Sequence, residues 1–329
     1  MTNDTRTRAE ALLRTAVVWD NHGCMPLRCD ESFLPQLERY RCSGVTIASL
    51  NIGFANIPWT EQLRVVSYMR RWISLRPQSY RLVSHVSDIR LCKRDGRLGV
   101  VFDIEGMGPV TDDLSLVQTF YDLGVRWMLI AYNKNNAAGG GCMDTDGGLT
   151  CLGRAIIDEM ERVGMVLCLS HTGHKTVAEA LDFARNPPIF SHSNPYGHTA
   201  HERNITNHLM TTCARKGGVI GLSGIAPYLG GNDRLIERWL SQLRYVIDLV
   251  GADHVGIGLD YVFDRTELDE YVRSNPALFP PGVTGGLQMI EPENTGAIAE
   301  GLARDNLSDT QISGILGGNW MRIAERVWR

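Results

Sequence analysis

Five short segments of the sequence carry residues that bind metal ions or transfer protons. Each places His, Asp or Glu next to a run of apolar residues: Asp20-Asn21-His22-Gly23-Cys24, Asp103-Ile104-Glu105, Ser170-His171, Ser191-His192 and Gly258-Leu259-Asp260. Three imidazoles and two carboxylates suit Zn²⁺ or another borderline divalent ion. A single His is more often a hydrogen-bonded structural residue than a ligand, but five such segments in one chain favour a shared metal site.

The apolar runs beside these segments belong to a regular alternation along the chain. There are eight such runs, all short, at 16–19, 45–50, 98–103, 125–131, 165–169, 188–191, 218–222 and 254–257. Helix-like stretches lie between them, at 61–75, 114–123, 152–163, 176–185, 207–215 and 233–250. Apolar strands alternating with helices indicate a parallel sheet covered by helices. Eight strands in 329 residues predict an α/β fold of the (β/α)8 TIM-barrel type.

In such a barrel the carboxyl ends of all the strands meet on one face, so the five segments are expected to converge there. An open, doubly wound sheet is the alternative. That fold more often has a Gly-rich phosphate turn after its first strand, and residues 20–24 are not one.

The rest of the chain gives no sign of a second unit, so we expect one barrel domain over residues 1–329 with helices at its C-terminal end. Ser308 has the sequence context of a helix cap, and Gly317-Gly318-Asn319 interrupts the pattern before a last helix. Two segments, 136–148 and 273–286, are predicted to be loops and candidates for covering an active site.

Charge and hydropathy exclude several classes of partner. With 33 Lys and Arg against 37 Asp and Glu, the net charge is −4, which argues against a nucleic-acid partner. No run of 18 apolar residues indicates a membrane span. Met1 to Glu10 is polar and lacks the apolar segment of a secretory signal, so we expect a cytoplasmic protein whose eight cysteines are free thiols.

Nine stretches of the chain resemble, in order, the membrane (renal) dipeptidase family of zinc metallopeptidases, which have amidohydrolase-type barrels. They are Asp20-Asn21-His22, Ile104-Glu105-Gly106, Ala131-Tyr132-Asn133, Gly147-Gly148-Leu149-Thr150, Leu169-Ser170-His171, Phe190-Ser191-His192-Ser193-Asn194, Glu202-Arg203-Asn204, Gly256-Ile257-Gly258-Leu259-Asp260 and Ile315-Leu316-Gly317-Gly318-Asn319-Trp320-Met321-Arg322. The resemblance implies a metal-dependent hydrolase barrel with a binuclear zinc centre.

By motif position, the resemblance also implies a role for each site residue. His22 and Asp260 would bind the first metal ion, Glu105 would bridge both ions, and His171 and His192 would bind the second. A metal-activated hydroxide would attack the amide carbonyl of a dipeptide, with Asp260 as the acid and base. Arg203 would face the substrate carboxylate or the oxyanion, because its guanidinium can form two parallel hydrogen bonds. His198 and His201 follow closely in sequence and are candidates for a supporting shell.

Cys24 is the most important departure from the family, which usually has Asp as a ligand of the first metal ion at this position. A thiolate binds zinc well but is softer, bulkier and open to oxidation. Three outcomes remain open: Cys24 ligates and two ions bind; the first site is weak and one ion binds at Glu105, His171 and His192; or no ion binds. Cys24 could equally be an inert thiol beside the site.

Three further departures concern the substrate and the supporting residues. Tyr132 stands where some relatives have His, and its phenol can donate the same hydrogen bond to a developing oxyanion. Cys168 stands where the family commonly has an Asp that supports His171, so the resemblance implies that the loss of this Asp weakens the orientation of His171. The segment 223–228, which ends at Tyr228, differs from the common form and leaves the substrate class open, and Tyr228 is a predicted substrate contact.

Three functions therefore compete. The first is a dipeptidase, and the second is an amidohydrolase acting on a small non-peptide amide with one metal ion. The third is an inactive binding barrel. The resemblance implies a small-molecule amide or dipeptide as the partner, Zn²⁺ as the cofactor and a homodimer as the assembly, with no nucleic acid or membrane involved.

Overall fold

Parallel strands close into a barrel around the centre of the molecule. The computed structural model describes residues 3–55, 57–278 and 285–329. Its strands are β1 (Trp19–Cys24), β2 (Ile47–Phe54), β3 (Tyr80–Leu82), β4 (Leu98–Glu105), β5 (Val125–Leu129), β6 (Val166–Cys168), β7 (Ile189–Phe190), β8 (Val219–Leu222), β9 (Val255–Ile257) and β10 (Tyr261–Val262). The barrel order is β1-β2-β4-β5-β6-β7-β8-β9, and β9 pairs with β1 between Ile257 and Asp20 to close it. The TIM-barrel prediction is confirmed.

Helices surround this barrel. They are α1 (Asn3–Thr15), α2 (Leu37–Cys42), α3 (Trp59–Ser74), α4 (Val86–Asp95), α5 (Ser115–Asp122), α6 (Cys151–Val163), α7 (His174–Phe183), α8 (Asn207–Arg215), α9 (Ala226–Leu229), α10 (Leu235–Val250), α11 (Arg265–Ser274), α12 (Thr295–Arg304), α13 (Asp309–Ser313) and α14 (Asn319–Val327). A π-helical turn, Gly314–Gly318, joins the last two. No helix in the described ranges is both long and apolar enough to cross a membrane.

Most predicted elements correspond to observed ones within a few residues. The helix at 207–215 has the predicted bounds, and Ser308 caps α13 by accepting a hydrogen bond from Gln311 N. The first strand is displaced: it runs over Trp19–Cys24 rather than 16–19. Most residues of this strand after Trp19 are polar because they belong to the site. An apolar run in the sequence therefore marks only the residues that precede and begin the strand.

The segments that we expected to cover the active site differ in structure. Residues 136–148 contain no helix or regular strand, as predicted. The segment 273–286 was predicted to be a loop, but α11 extends into it as far as Ser274 and a 3-10 turn follows at Pro276–Leu278. Its central residues, 279–284, lie outside the described part of the chain.

Two apolar clusters hold the barrel together. The larger one packs the helices against the outside of the strands. The smaller one includes alternate residues of β5 and β6, single residues of β1, β2 and β4, and Trp320 and Ile323 of α14. Trp320, on α14, donates from Nε1 to Ile257 O at 3.1 Å and so ties the last helix to β9. This apolar packing leaves the carboxyl ends of the strands as the polar part of the barrel.

One glycine allows a close approach that the site requires. A Cβ on Gly258, directly after β9, would lie 1.9 Å from the carbonyl oxygen of Ser191. Only glycine fits at that distance. The contact holds the chain before Asp260 against the chain before His192.

Candidate metal centre and active site

The carboxyl ends of the strands form the floor of a cavity of about 310 Å³. Cys24, Glu105, His171 and Asp260 line this floor. They come from β1, β4 and the residues just after β6 and β9. The predicted convergence of the sequence segments is therefore present in the structure.

Glu105 lies at the centre of three imidazoles. Its Oε1 atom is 3.5 Å from His22 Nε2, 3.2 Å from His171 Nε2 and 3.2 Å from His192 Nε2. The same Oε1 is buried and has no hydrogen-bond donor among the described residues. Glu105, His171 and His192 form a group whose ligand atoms lie within 4.8 Å of one another. A single carboxylate oxygen, Glu105 Oε1, thus lies within 3.5 Å of all three imidazole nitrogens.

The protonation of this group favours a cation. His171 Nδ1 lies 2.7 Å from Asn133 Oδ1, an atom that only accepts, so Nδ1 carries the proton and Nε2 presents its lone pair. Burial lowers the pKa values of His171 and His192 well below the usual value, and both rings are neutral. The carboxylate oxygen Glu105 Oε1 and the lone pair of His171 Nε2 therefore converge, with His192 Nε2 3.2 Å from the carboxylate oxygen. The residues present therefore fit a divalent metal ion.

His22, Cys24 and Asp260 form the second half of the site. Cys24 Sγ lies 3.4 Å from His22 Nε2 and 3.8 Å from Asp260 Oδ1, and the latter two atoms are 3.7 Å apart. His22, His192 and Asp260 also form a group within 4.8 Å. The stacked rings of His22 and His192, with centroids 4.1 Å apart, join the two halves.

Burial controls the acidity of the anionic groups. It raises the pKa of Glu105 to about 8, that of Cys24 to about 12 and that of Asp260 above its usual value. Burial alone would lower the pKa of His22, but the neighbouring Asp103, Cys24 and Glu105 raise it well above the usual value. Burial therefore favours the protonated forms of Glu105, Cys24 and Asp260, and a bound divalent cation would favour their ionised forms.

Each imidazole is oriented by a second polar residue. Asp103 Oδ2 lies 3.2 Å from His22 Nδ1, and Asn133 orients His171 as described above. Ser191 Oγ lies 2.8 Å from His192 Nδ1. Neighbours of this kind fix the ring and its tautomer in metal sites.

Cys168 lies beside Ser191, and the ring of His171 is oriented by Asn133. Cys168 Sγ contacts Ser191 Oγ at 3.0 Å, and Ser191 orients His192 instead. Cys168 is the last residue of β6, whereas His171 stands three residues further on, after the strand has ended.

Three site residues adopt left-handed backbone conformations. The φ angles are +57° for Asn133, +62° for His171 and +63° for Asp260. Non-glycine residues rarely occupy this region, and such strain is concentrated at functional sites. The sharp turns aim the His171 and Asp260 side chains at the barrel axis.

Tyr132 stacks on His171, with ring centroids 4.3 Å apart, and it lines the cavity. Burial raises its pKa well above the usual value, so the phenol remains a donor. Ser223 Oγ donates to Asp260 Oδ2 at 3.2 Å. The candidate ligands His22, Cys24, Glu105, His171, His192 and Asp260 together form what we call the metal-ligand cluster. Of the two predicted catalytic side chains, Asp260 is part of this cluster and Tyr132 packs against it.

Arg203 and Tyr228 occupy the β7–β8 side of the site. Tyr228 lines the cavity, while Arg203 is buried and stands beside the lining, with its guanidinium carbon 5.4 Å from the Tyr228 ring. Arg203 Nη2 donates to His192 O at 3.3 Å, and its Nε has no partner among the described residues. His201 accepts from Arg203 N at 3.1 Å and packs against Tyr228, as expected of a supporting residue. His198 instead contacts Thr199 and Ser241.

Sequence reasoning missed four residues that orient the ligands: Asp103, Asn133, Ser191 and Ser223. The signal for three of them was adjacency, because Asp103, Asn133 and Ser191 stand within two residues of Glu105, Tyr132 and His192. Ser223 carried no such signal. Its role depends on the pairing of β8 with β9.

The sequence of this chain is similar to those of known dipeptidases. A model of the family described as membrane dipeptidase, peptidase family M19, matches residues 6–269. An uncharacterized dipeptidase of Schizosaccharomyces pombe is 27% identical over 274 residues, which cover 80% of this chain and 61% of the relative. Dipeptidase tcpJ of Claviceps purpurea is 29% identical over 202 residues, covering 60% and 47% respectively. The chain thus spans about half to three fifths of the length of these relatives.

Solved structures share the whole barrel. An amidohydrolase from Pseudomonas aeruginosa has a TM-score of 0.90 at 26% identity, with 97% of this chain and 99% of that chain covered. A metallo peptidase from Rhodobacter sphaeroides, liganded with a phosphinate mimic of the dipeptide L-Ala-D-Ala, has a TM-score of 0.76 at 21% identity, covering 95% and 100%. The second likeness is one of fold.

Proposed function

Because this chain belongs to the membrane dipeptidase family, peptidase family M19, we propose that it hydrolyses the amide bond of dipeptides at a zinc centre. The observation that carries the proposal is Glu105 Oε1, a buried carboxylate oxygen that has no hydrogen-bond donor among the described residues and lies within 3.5 Å of three imidazole nitrogens. Burying a carboxylate oxygen that has no hydrogen-bond donor costs free energy unless a cation binds it.

We assign the ligands to two zinc ions. Glu105, His171 and His192 would hold one ion, and His22, Cys24 and Asp260 would hold the other, with Glu105 shared. When bound, such ions polarise a carbonyl oxygen and lower the pKa of water to about 7.

Asp260 is the proposed acid and base. Its side chain lines the cavity floor, and burial raises the pKa of its carboxyl, which favours proton uptake from water. It would then deliver that proton to the departing amide nitrogen. Ser223 holds Oδ2, so that Oδ1 is the oxygen directed towards His22 and Cys24.

Tyr132, Arg203 and Tyr228 are the proposed substrate contacts. The Tyr132 phenol would donate to the carbonyl oxygen of the substrate, on which negative charge develops. The positive charge of Arg203 would attract the terminal carboxylate of the substrate. Tyr228 would form the part of the cavity wall beside Arg203. An arginine that is buried beside the cavity, and whose Nε has no partner in the described part of the chain, suits this task.

A mononuclear amidohydrolase is the second candidate, and Cys24 favours it. The Cys24 thiol has its pKa raised to about 12, so it must lose a proton to become a ligand. Where this proton is retained, only the Glu105, His171 and His192 group would hold an ion.

The direct test is a turnover assay with a panel of dipeptides that includes L-Ala-D-Ala, together with simple N-acyl amides. We expect hydrolysis that is abolished by chelation, restored by Zn²⁺ and reduced at least 1000-fold in kcat by Asp260→Asn. Asp233→Asn, at an exposed carboxylate, is the matched control. Full activity of Asp260→Asn would refute the assigned acid and base, and an absence of any turnover by zinc-loaded protein would refute the proposed function.

A further inference from the structure

The wall of the cavity on the side of β1 and β2 is apolar and partly aromatic. Phe54 packs against Tyr271 of α11, with ring centroids 5.1 Å apart, and against Tyr132, at 5.2 Å. Tyr132 in turn stacks on His171. A row of rings therefore leads from α11 to the metal-ligand cluster. Other apolar side chains that line the same cavity are Leu27, Ile57, Leu268 and Leu287.

Four carboxylates of the described residues line the cavity: Glu105, Asp260, Asp264 and Glu267. The first two belong to the proposed metal centre. Arg28 binds the other two, with Nη2 3.0 Å from Asp264 Oδ2 and Nη1 2.5 Å from Glu267 Oε2.

Asp264 has a second structural task, because its Oδ1 accepts from Thr266 N and Glu267 N and so caps α11. The sequence also contains no Asp or Glu between Glu270 and Glu291. An ammonium group entering this wall would thus lose water without gaining a carboxylate, which is unfavourable.

Building on the proposed function, we infer that the acyl half of the substrate is bulky and apolar and needs no α-amino group. N-acyl amino acids with aromatic or branched acyl groups are then substrates, as are dipeptides with an apolar first residue. In either case water adds its oxygen to the acyl carbon and the C–N bond breaks. The nitrogen takes up a proton, and the products are a carboxylic acid and a free amino acid.

Three matched substrates test this inference: Phe-Ala, its desamino analogue 3-phenylpropanoyl-Ala, and Gly-Ala, each with L- or D-alanine as the released residue. We expect kcat/KM for the desamino analogue to be within about tenfold of that for Phe-Ala. We expect Gly-Ala to be about 10- to 100-fold poorer, because it lacks the side chain that the wall accommodates.

Each contrary result has a distinct meaning. A loss of more than tenfold for the desamino analogue, or equal values for Gly-Ala and Phe-Ala, would overturn this inference and leave dipeptide hydrolysis intact. If zinc-loaded protein hydrolyses none of the three, the proposed function fails and this inference fails with it.

A pair of leucine variants links the preference to the wall. Leu268→Ala removes apolar surface from the cavity and should lower the ratio of kcat/KM for Phe-Ala over Gly-Ala by about 3- to 10-fold. Leu75→Ala makes the same chemical change at a residue that is 61% exposed, just after α3, and should leave the ratio unchanged. Equal ratios in both variants would show that the wall does not set the preference.

Discussion

The Nε2 atoms of His171 and His192 lie 2.9 Å apart. Two neighbouring strands bring them together: His171 follows β6 and His192 follows β7. Burial lowers both pKa values well below normal, so neither ring carries a charge. With Glu105 Oε1 3.2 Å from each nitrogen, the arrangement suits a shared cation better than a hydrogen-bonded pair.

Asn133 should act on metal affinity through His171. Asn133→Ala removes the acceptor of the Nδ1 proton, so we expect metal affinity to fall about 10- to 100-fold. Asn133→Asp keeps an acceptor and tolerates the left-handed backbone, and it should restore most of the affinity. Titration with a competing chelator measures both values. If both variants bind metal as tightly as the wild type, Asn133 has no positioning role.

A charge-transfer band between sulfur and metal should show whether Cys24 is a metal ligand. If it ligates, the Co²⁺-substituted protein has a sulfur-to-cobalt charge-transfer band in the near ultraviolet. Cys24→Ala should abolish the band, and Cys24→Asp should abolish it while keeping the metal count. Cys29→Ala, at an exposed thiol, is the control. If the band is absent from the wild type, or persists in Cys24→Ala, Cys24 is not a ligand.

His201 should make the folded state sensitive to acid. Burial, with a further effect of Arg203, lowers its pKa from 6.5 to about 4. Between these values the unfolded chain binds more protons than the folded one, so the free energy of unfolding falls as the pH falls from 6.5 to 4.

Urea unfolding at several pH values tests this dependence. His201→Gln should give a shallower slope over the same interval, because its side chain does not titrate. The exposed His208→Gln should keep the wild-type slope. Identical slopes for the wild type and His201→Gln would argue against the assignment.

Gly258 should be intolerant of a side chain. Gly258→Ala places a Cβ 1.9 Å from Ser191 O, so we expect a loss of about 2 kcal/mol or more in stability, together with weaker metal binding. Gly296→Ala, in α12, meets no atom within 4 Å and should be neutral or slightly stabilising. Chemical denaturation measures both, and wild-type stability of Gly258→Ala would contradict the close approach.

The fold was largely predictable because apolar runs and helical periodicity report burial. All eight predicted strands overlap barrel strands, but the first does so only at Trp19, because the rest of β1 consists of residues that belong to the polar site. Short elements such as β3 and β10 are held by pairing with distant residues, and local pattern carries no information on them.

The metal-site candidates were predictable for the same reason: strand ends meet on one face of a barrel. Which residue orients which ligand was not predictable. Cys168 is a clear example, because its contact with Ser191 depends on the register between β6 and β7. The place of Arg203 beside the lining, behind Tyr228, depends on how two loops pack together.

Metal stoichiometry tests the central claim most directly. The protein, purified without a tag under reducing conditions, is dialysed against Zn²⁺ and analysed by inductively coupled plasma mass spectrometry beside Glu105→Gln and Glu61→Gln. Glu61 is an exposed residue of α3 and serves as the control. We expect about two ions per chain in the wild type and in Glu61→Gln, and fewer than one in Glu105→Gln. A count near zero in the wild type, or an unchanged count in Glu105→Gln, would contradict a metal centre built on Glu105.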